Sequence, residues 1–142
     1  MNSDLHIIIP FIPVATARPR FYIRKGHIHS YDKQSSKKKA FASMLNLVMK
    51  KQLVYFDGPV ELELIFNIPR ARSHFGTGKN RSKGKPSAPG YPTKSDIDNY
   101  CKFVMDGFSG IIWKDDRQVM KLTAEKRFAD NGSIEVTVRV KG

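Results

Sequence analysis

From Val60 to Ile68 the chain alternates strictly: Val60, Leu62, Leu64, Phe66 and Ile68 against Glu61, Glu63 and Asn67. A period of two puts each set on its own face of an extended backbone, so the segment reads as a half-buried strand, ended by Pro69. The same alternation returns near the end, where Ile134, Val136, Val138 and Val140 interleave with Glu135, Thr137, Arg139 and Lys141. A further strand is predicted from about Arg117 to Phe128, and Asp130-Asn131-Gly132 between the two is a strong hairpin signal. In that strand Met120, Leu122 and Ala124 are expected to face the core, in phase with Asp116 and Lys126. Leu5 to Pro13 reads as a buried strand, and Pro19 to Tyr31 as a short hairpin turning near Lys25-Gly26.

Two segments carry the helical period instead. Between Ser35 and Leu53, Phe41, Met44, Leu45, Val48 and Met49 recur on one face and Leu53 continues the stripe. Lys37, Lys38 and Lys39 in its first turn oppose the helix dipole, which fits either a phosphate contact or a solvated face. Asp98 to Phe108 reads as a second helix with Ile97, Cys101, Val104 and Phe108 on its apolar side, bracketed at its end by Gly107 and Gly110. Together these predict an α/β (α+β) fold, a mixed β-sheet packed against two helices in one small domain over 1–142.

One stretch fits neither period. Arg70 to Pro92 holds Arg70, Arg72, Lys79, Arg81, Lys83 and Lys85, no acidic residue, and repeated glycine and proline. It reads as a flexible basic loop with little secondary structure, either an arm for a nucleic-acid backbone or a linker insertion.

Charge sharpens the picture. The 142 residues carry 25 Lys and Arg against 13 Asp and Glu, a net charge of +12. Such an excess points to a polyanionic partner, most simply nucleic acid, or else serves only solubility. The single cysteine, Cys101, excludes an internal disulfide or a zinc framework and reads as core. No run approaches the roughly 20 apolar residues of a membrane helix. Asp4, not a basic region, precedes the apolar N-terminal stretch, so that stretch is not expected to be a signal peptide. The expectation is a soluble cytoplasmic protein with no membrane partner and no small-molecule cofactor.

Five of the 13 carboxylates gather between positions 96 and 116: Asp96, Asp98, Asp106, Asp115 and Asp116. Asp96 and Asp98 converge only if the helix starts at or after Asp98, since i and i+2 share a face on extended backbone and diverge on a helix. Asp98, Lys102 and Asp106 then form one polar stripe. Asp116, in the inward phase, is expected to join Asp96 and Asp98 in binding one or two hard cations, Mg²⁺ with Mn²⁺ as substitute. Lys102 is a candidate to orient a carboxylate or stabilise developing charge, and Lys126, pointing inward, is expected to meet a phosphate or carboxylate. Spacing alone leaves a second reading: Ser95-x-x-Asp98 as a capping box, Asp98–Lys102 and Lys102–Asp106 as helix ion pairs, and Asp115-Asp116 as a polar turn.

The ordered set Lys94-Ser95-Asp96-Ile97-Asp98-Asn99-Tyr100-Cys101-Lys102, Asp106-Gly107, Gly110-Ile111-Ile112-Trp113-Lys114-Asp115-Asp116-Arg117-Gln118-Val119 and Lys126, with Pro13 and Ala17-Arg18-Pro19-Arg20-Phe21 near the start, resembles RusA-type Holliday junction resolvases. The resemblance is close over most of the C-terminal half and loose elsewhere. It implies a Mg²⁺-dependent homodimer of bacterial or prophage origin that cuts four-way DNA junctions in recombination and repair. By position, Asp96, Asp98 and Asp116 would bind metal and Lys102 would be the functional lysine. Lys94, Asp106, Asp115 and Lys126 stand beside them as supporting candidates, and Arg18, Arg20 and the six basic residues of the 70–92 loop as DNA contacts. Two departures stand out: Ser95 where many relatives have proline, and the long basic insertion, which bears on substrate preference. Two other classes compete: a less selective nuclease for branched DNA, and a non-catalytic nucleic-acid-binding protein.

Overall fold

The computed structural model describes residues 4–17, 20–52 and 54–142; Arg18, Pro19 and Leu53 lie outside them. Its elements in order are strand β1 (Leu5–Ile9), strands β2 (Arg20–Arg24) and β3 (His27–Tyr31), helix α1 (Ser35–Met49), strand β4 (Val60–Ile68), helix α2 (Ile97–Phe108), and strands β5 (Val119–Phe128) and β6 (Ser133–Val140). Four strands form a mixed sheet in the order β1-β6-β4-β5, and β2 and β3 form a separate two-stranded ribbon.

The alternation of β4 decides the architecture. Val60, Leu62, Leu64 and Phe66 are all buried, so β4 takes the centre, with β5 parallel on one side and β6 antiparallel on the other. A parallel neighbour needs a crossover, and α2 supplies it. Ile134, Val136 and Val138 of β6, and Leu5, Ile7 and Ile9 of β1, continue the same buried face. The helices cover that face through Phe41 and Leu45 of α1 and Phe103, Val104 and Phe108 of α2. Phe41 meets Phe11, Phe103 and Phe108 at ring-centroid distances of 5.2, 5.6 and 6.1 Å. Gly107 permits this approach, because a Cβ there would stand 2.6 Å from the Phe41 ring.

The other face of the sheet is polar and neutralises itself. Arg139 pairs with Glu63 at 2.8 Å, Arg127 with Glu135 at 2.9 Å, and Lys141 with Glu61 at 3.1 Å. The unbalanced positive charge therefore lies on the ribbon, on α1 and in the loop after β4.

Three expectations need correction. The Asp130-Asn131-Gly132 turn is not a hairpin, because β5 and β6 are not neighbours. The short connection carries the chain over the end of β4, about two strand spacings, within the reach of four extended residues. Met120 and Leu122 are 57% and 43% exposed, because they lie in the first half of β5, an edge strand that is covered only farther along, from Ala124 on. The first strand stops at Ile9 and is half-buried, alternating through its whole length. The 70–92 loop has little secondary structure, as its composition predicts: two short 3₁₀ turns, Arg72–His74 and Gly78–Asn80, and a bridge between Phe75 and Gly84. Its root is pinned by Arg70, whose guanidinium lies 4.0 Å over the Phe128 ring and donates to the Pro89 carbonyl at 2.8 Å. Among the described residues no helix is long and apolar enough to cross a membrane.

Candidate active site

Helix α2 starts one residue earlier than expected. Asp96 is its N-cap in extended conformation, φ −75° and ψ 144°, and its side chain makes no capping hydrogen bond. Ser95 therefore precedes the cap, and the Ser95-x-x-Asp98 capping box does not form. Asp98 sits in the first turn, exposed, where the helix dipole favours a negative charge. Asp96 is extended and Asp98 lies just inside the helix, the arrangement in which both carboxylates stay available at one helix end. A hard cation suits such oxygen donors.

Two bonds hold that end in place. Lys126 Nζ, from β5, donates to the Ser95 carbonyl at 2.7 Å. Within the chain the inward lysine meets a backbone carbonyl rather than a carboxylate, and it fixes the backbone that leads into the Asp96–Asp98 turn. From the other side, the Thr16 amide donates to the Asn99 carbonyl at 2.9 Å.

Asp116 lies elsewhere. It opens a 3₁₀ turn, Asp116–Gln118, before β5 begins, rather than standing in the strand. Its Oδ1 accepts from Ser109 Oγ at 2.7 Å and from Trp113 Nε1 at 3.2 Å. Ser109 is the C-cap of α2. Asp98 and Asp116 are thus at opposite ends of a helix whose rise from Asp98 to Ser109 is about 16 Å. The expected convergence of Asp96, Asp98 and Asp116 does not occur within one chain. Among the described residues no three His, Cys, Asp or Glu side chains surround a common metal position.

The remaining candidates sort by place. Lys102 is exposed on α2 one turn after Asp98. Asp106 borders a small cavity toward α1, lined also by Lys38, Phe41 and Phe103. Asp115 caps the 3₁₀ turn in a reciprocal box with Gln118, and the Arg117 amide, then its guanidinium, hold its carboxyl below the usual range. Gln118 also donates to the Phe56 and Gly58 carbonyls at 2.8 and 2.9 Å, which locks the turn to the start of β4. Cys101 is buried; burial pushes its thiol up, and the Asp98 carboxylate adds to this, so it is core and not a nucleophile. Trp113 is fully buried, although its indole N–H serves Asp116.

A groove of about 800 Å³ opens beside Ser95, bordered by Phe11, Pro13, Gln34, Lys37, Arg70 and Lys94. Lys94 and Arg70 were expected among the functional residues, and Lys37 belongs to the lysine run of α1. Gln34 was not anticipated. Its amide donates to the Ala15 carbonyl at 2.8 Å and accepts from the Ala17 amide at 3.0 Å, bonds between distant positions that leave no local signal. Arg18 lies outside the described residues; Arg20, Arg72, Lys79, Arg81, Lys83 and Lys85 are exposed.

An acidic helix start with a cationic groove beside it, and a second acidic turn at the far end of α2, place carboxylates next to a surface suited to a polyanion. The family model of Endodeoxyribonuclease RusA matches residues 10–139. The chain belongs to the RusA endodeoxyribonuclease family. It is also similar to the uncharacterized protein YqaN of Bacillus subtilis (strain 168), at 33% identity over 129 residues, 89% of each chain.

Proposed function

We propose that this endodeoxyribonuclease is a Mg²⁺-dependent homodimer that resolves four-way DNA junctions by paired cuts, with each metal site shared between two copies. The observation that carries this reading is the placement of Asp116 at the far end of α2 from Asp96 and Asp98. In an antiparallel two-fold pair, one end of α2 lies beside the other end of its mate. Strand β5 offers the surface: it is an open edge that runs from the Asp116 turn to Lys126 beside Ser95, and Met120 and Leu122 expose apolar side chains in its first half. A two-fold axis there brings Asp116 of one copy toward Asp96 and Asp98 of the other, twice.

Asp96, Asp98 and the second copy's Asp116 would hold Mg²⁺, which when bound supplies a water of lowered pKa and charge stabilisation at the phosphodiester. The chain's own groups do the rest. Lys126 fixes the backbone before Asp96, and Ser109 and Trp113 orient Asp116 through one oxygen. Lys102 places a cation one turn from Asp98, where charge develops. Lys37, Arg70 and Lys94 line the path by which a phosphate backbone reaches the acidic turn. The dimer's two equivalent sites suit the two strands that a junction must have cut.

Subunit mixing tests the shared site. Asp98→Asn and Asp116→Asn are each expected to abolish cutting while retaining junction binding. After mixing and exchange, a heterodimer holds one site with both substitutions and one with neither, so nicking of the junction returns. If the mixture stays as inactive as its components while sedimentation shows that heterodimers form, the sites are not shared.

A further inference from the structure

The ribbon β2–β3 is exposed along its whole length, on both faces. A two-stranded hairpin alone in water is marginally stable, so its place in the fold asks for a partner. Its turn is a two-residue turn with both residues left-handed, Lys25 at φ 52° and Gly26 at φ 76°, which matches the twist of the flanking strands. Register gives the two faces different chemistry. Arg20 pairs with Tyr31, Tyr22 with His29 and Arg24 with His27, and these six share one face. The Tyr22 and His29 rings stack, with centroids 5.1 Å apart and planes at 18°. Phe21, Ile23 and Ile28 on the other face are 69%, 75% and 75% exposed. From Arg20 to Tyr31 there is no acidic residue.

The base of the ribbon is tied to the acidic turn. Gln34, just after β3, clips Ala15 and Ala17, just before β2. Between those two, the Thr16 amide bonds the Asn99 carbonyl in the first turn of α2, one residue past Asp98. The ribbon therefore rises from the spot where the cut is proposed to occur.

We infer that the Arg20–Tyr31 ribbon is the element that recognises the branch of the DNA: Tyr22 and Tyr31 stack on bases unstacked at the crossover, and Arg20, Arg24 and Lys25 take the flanking phosphates. Exposed aromatic rings between cations are the chemistry that holds unstacked bases without regard to sequence. A fully paired duplex offers no such bases, so the ribbon separates branched from linear DNA. The inference rests on the proposed junction reading for its substrate, and its test is independent of cutting.

The test uses the full chain with EDTA present, a synthetic four-way junction carrying 2-aminopurine at the branch, and a linear duplex carrying the same label. Wild type is expected to change the fluorescence of the junction label and not of the duplex label. Tyr22→Ala/Tyr31→Ala should lose that change and bind the junction about tenfold more weakly, with duplex affinity within about twofold, as expected for removed stacking. Tyr22→Phe/Tyr31→Phe keeps the rings and should behave as wild type. The inference is overturned by a silent label in wild type, by an unchanged response in the alanine variant, or by equal loss on junction and duplex. It is also overturned if sedimentation shows that the alanine variant changes its oligomeric state, which would make the ribbon a contact between copies. A wild type that responds at the branch but never cuts in Mg²⁺ would refute the nuclease reading and leave this one standing.

Discussion

Lys126→Met removes the donor that fixes the entry to α2 and leaves the stem of the side chain in place. The bond to the Ser95 carbonyl is 2.7 Å long and its donor is charged. Hydrogen bonds of this kind contribute about 1.5–3 kcal/mol. Ser95 is only half-buried, so water can replace part of the loss, and the lower half of that range applies. A cost of about 1.5 kcal/mol is roughly a tenfold change in how often the Asp96–Asp98 turn holds its native geometry. The consequence is specific: half-saturation by Mg²⁺ should rise several-fold to tenfold, while the rate at saturating Mg²⁺ stays within about threefold. Urea unfolding of the same variant gives the stability change, and a Mg²⁺ titration of junction cleavage gives the other. Lys126→Arg, which keeps a charged donor, should fall between. A stability loss of the expected size with an unaltered Mg²⁺ midpoint would refute the claim that this lysine serves the acidic turn. A collapsed rate at saturating Mg²⁺ would instead mean that Lys126 acts on the DNA.

Gly107→Ala gains about 1 kcal/mol of helix propensity but drives a Cβ to 2.6 Å from a fully packed Phe41 ring, where overpacking costs about 1–3 kcal/mol, so denaturation should show a net loss of about 1 kcal/mol. Asp106→Asn should leave cleavage within about threefold of wild type, because this carboxylate lies toward α1 and away from the acidic turn; a loss above about a hundredfold would place it in the site. Neutralising Lys79, Arg81, Lys83 and Lys85 together should weaken junction binding and flatten its dependence on salt; an unchanged slope would make the loop a bystander.

Local patterns carried most of the elements. The alternation of β4, the apolar stripe of α2 and the Lys25-Gly26 turn each depend on neighbours within a few residues, and each stands where the pattern put it. Strand order does not depend on neighbours alone. Asp130-Asn131-Gly132 has the composition of a hairpin turn, yet the demand of β4 for two partners draws β5 and β6 to opposite sides of it. Met120 and Leu122 share the phase of buried residues and remain exposed, because phase tells which face a side chain takes and not whether anything covers it. The separation of Asp98 from Asp116 was legible: a helix long enough to carry Ile97 to Phe108 must deliver the chain about 16 Å from where it began. Grouping the aspartates by type alone ignored that length. The Lys126–Ser95, Gln34–Ala15 and Thr16–Asn99 bonds had no such trace, since they join positions far apart through backbone groups that every residue has.

The most direct measurement is cleavage of an end-labelled synthetic four-way junction beside linear duplex of the same sequence, in Mg²⁺ and in EDTA, by wild type and Asp98→Asn. Paired symmetric cuts in the junction, absent from the duplex and lost in both EDTA and Asp98→Asn, are the predicted result. Tight junction binding without cutting in Mg²⁺, or cutting by Asp98→Asn at the wild-type rate, would contradict the account.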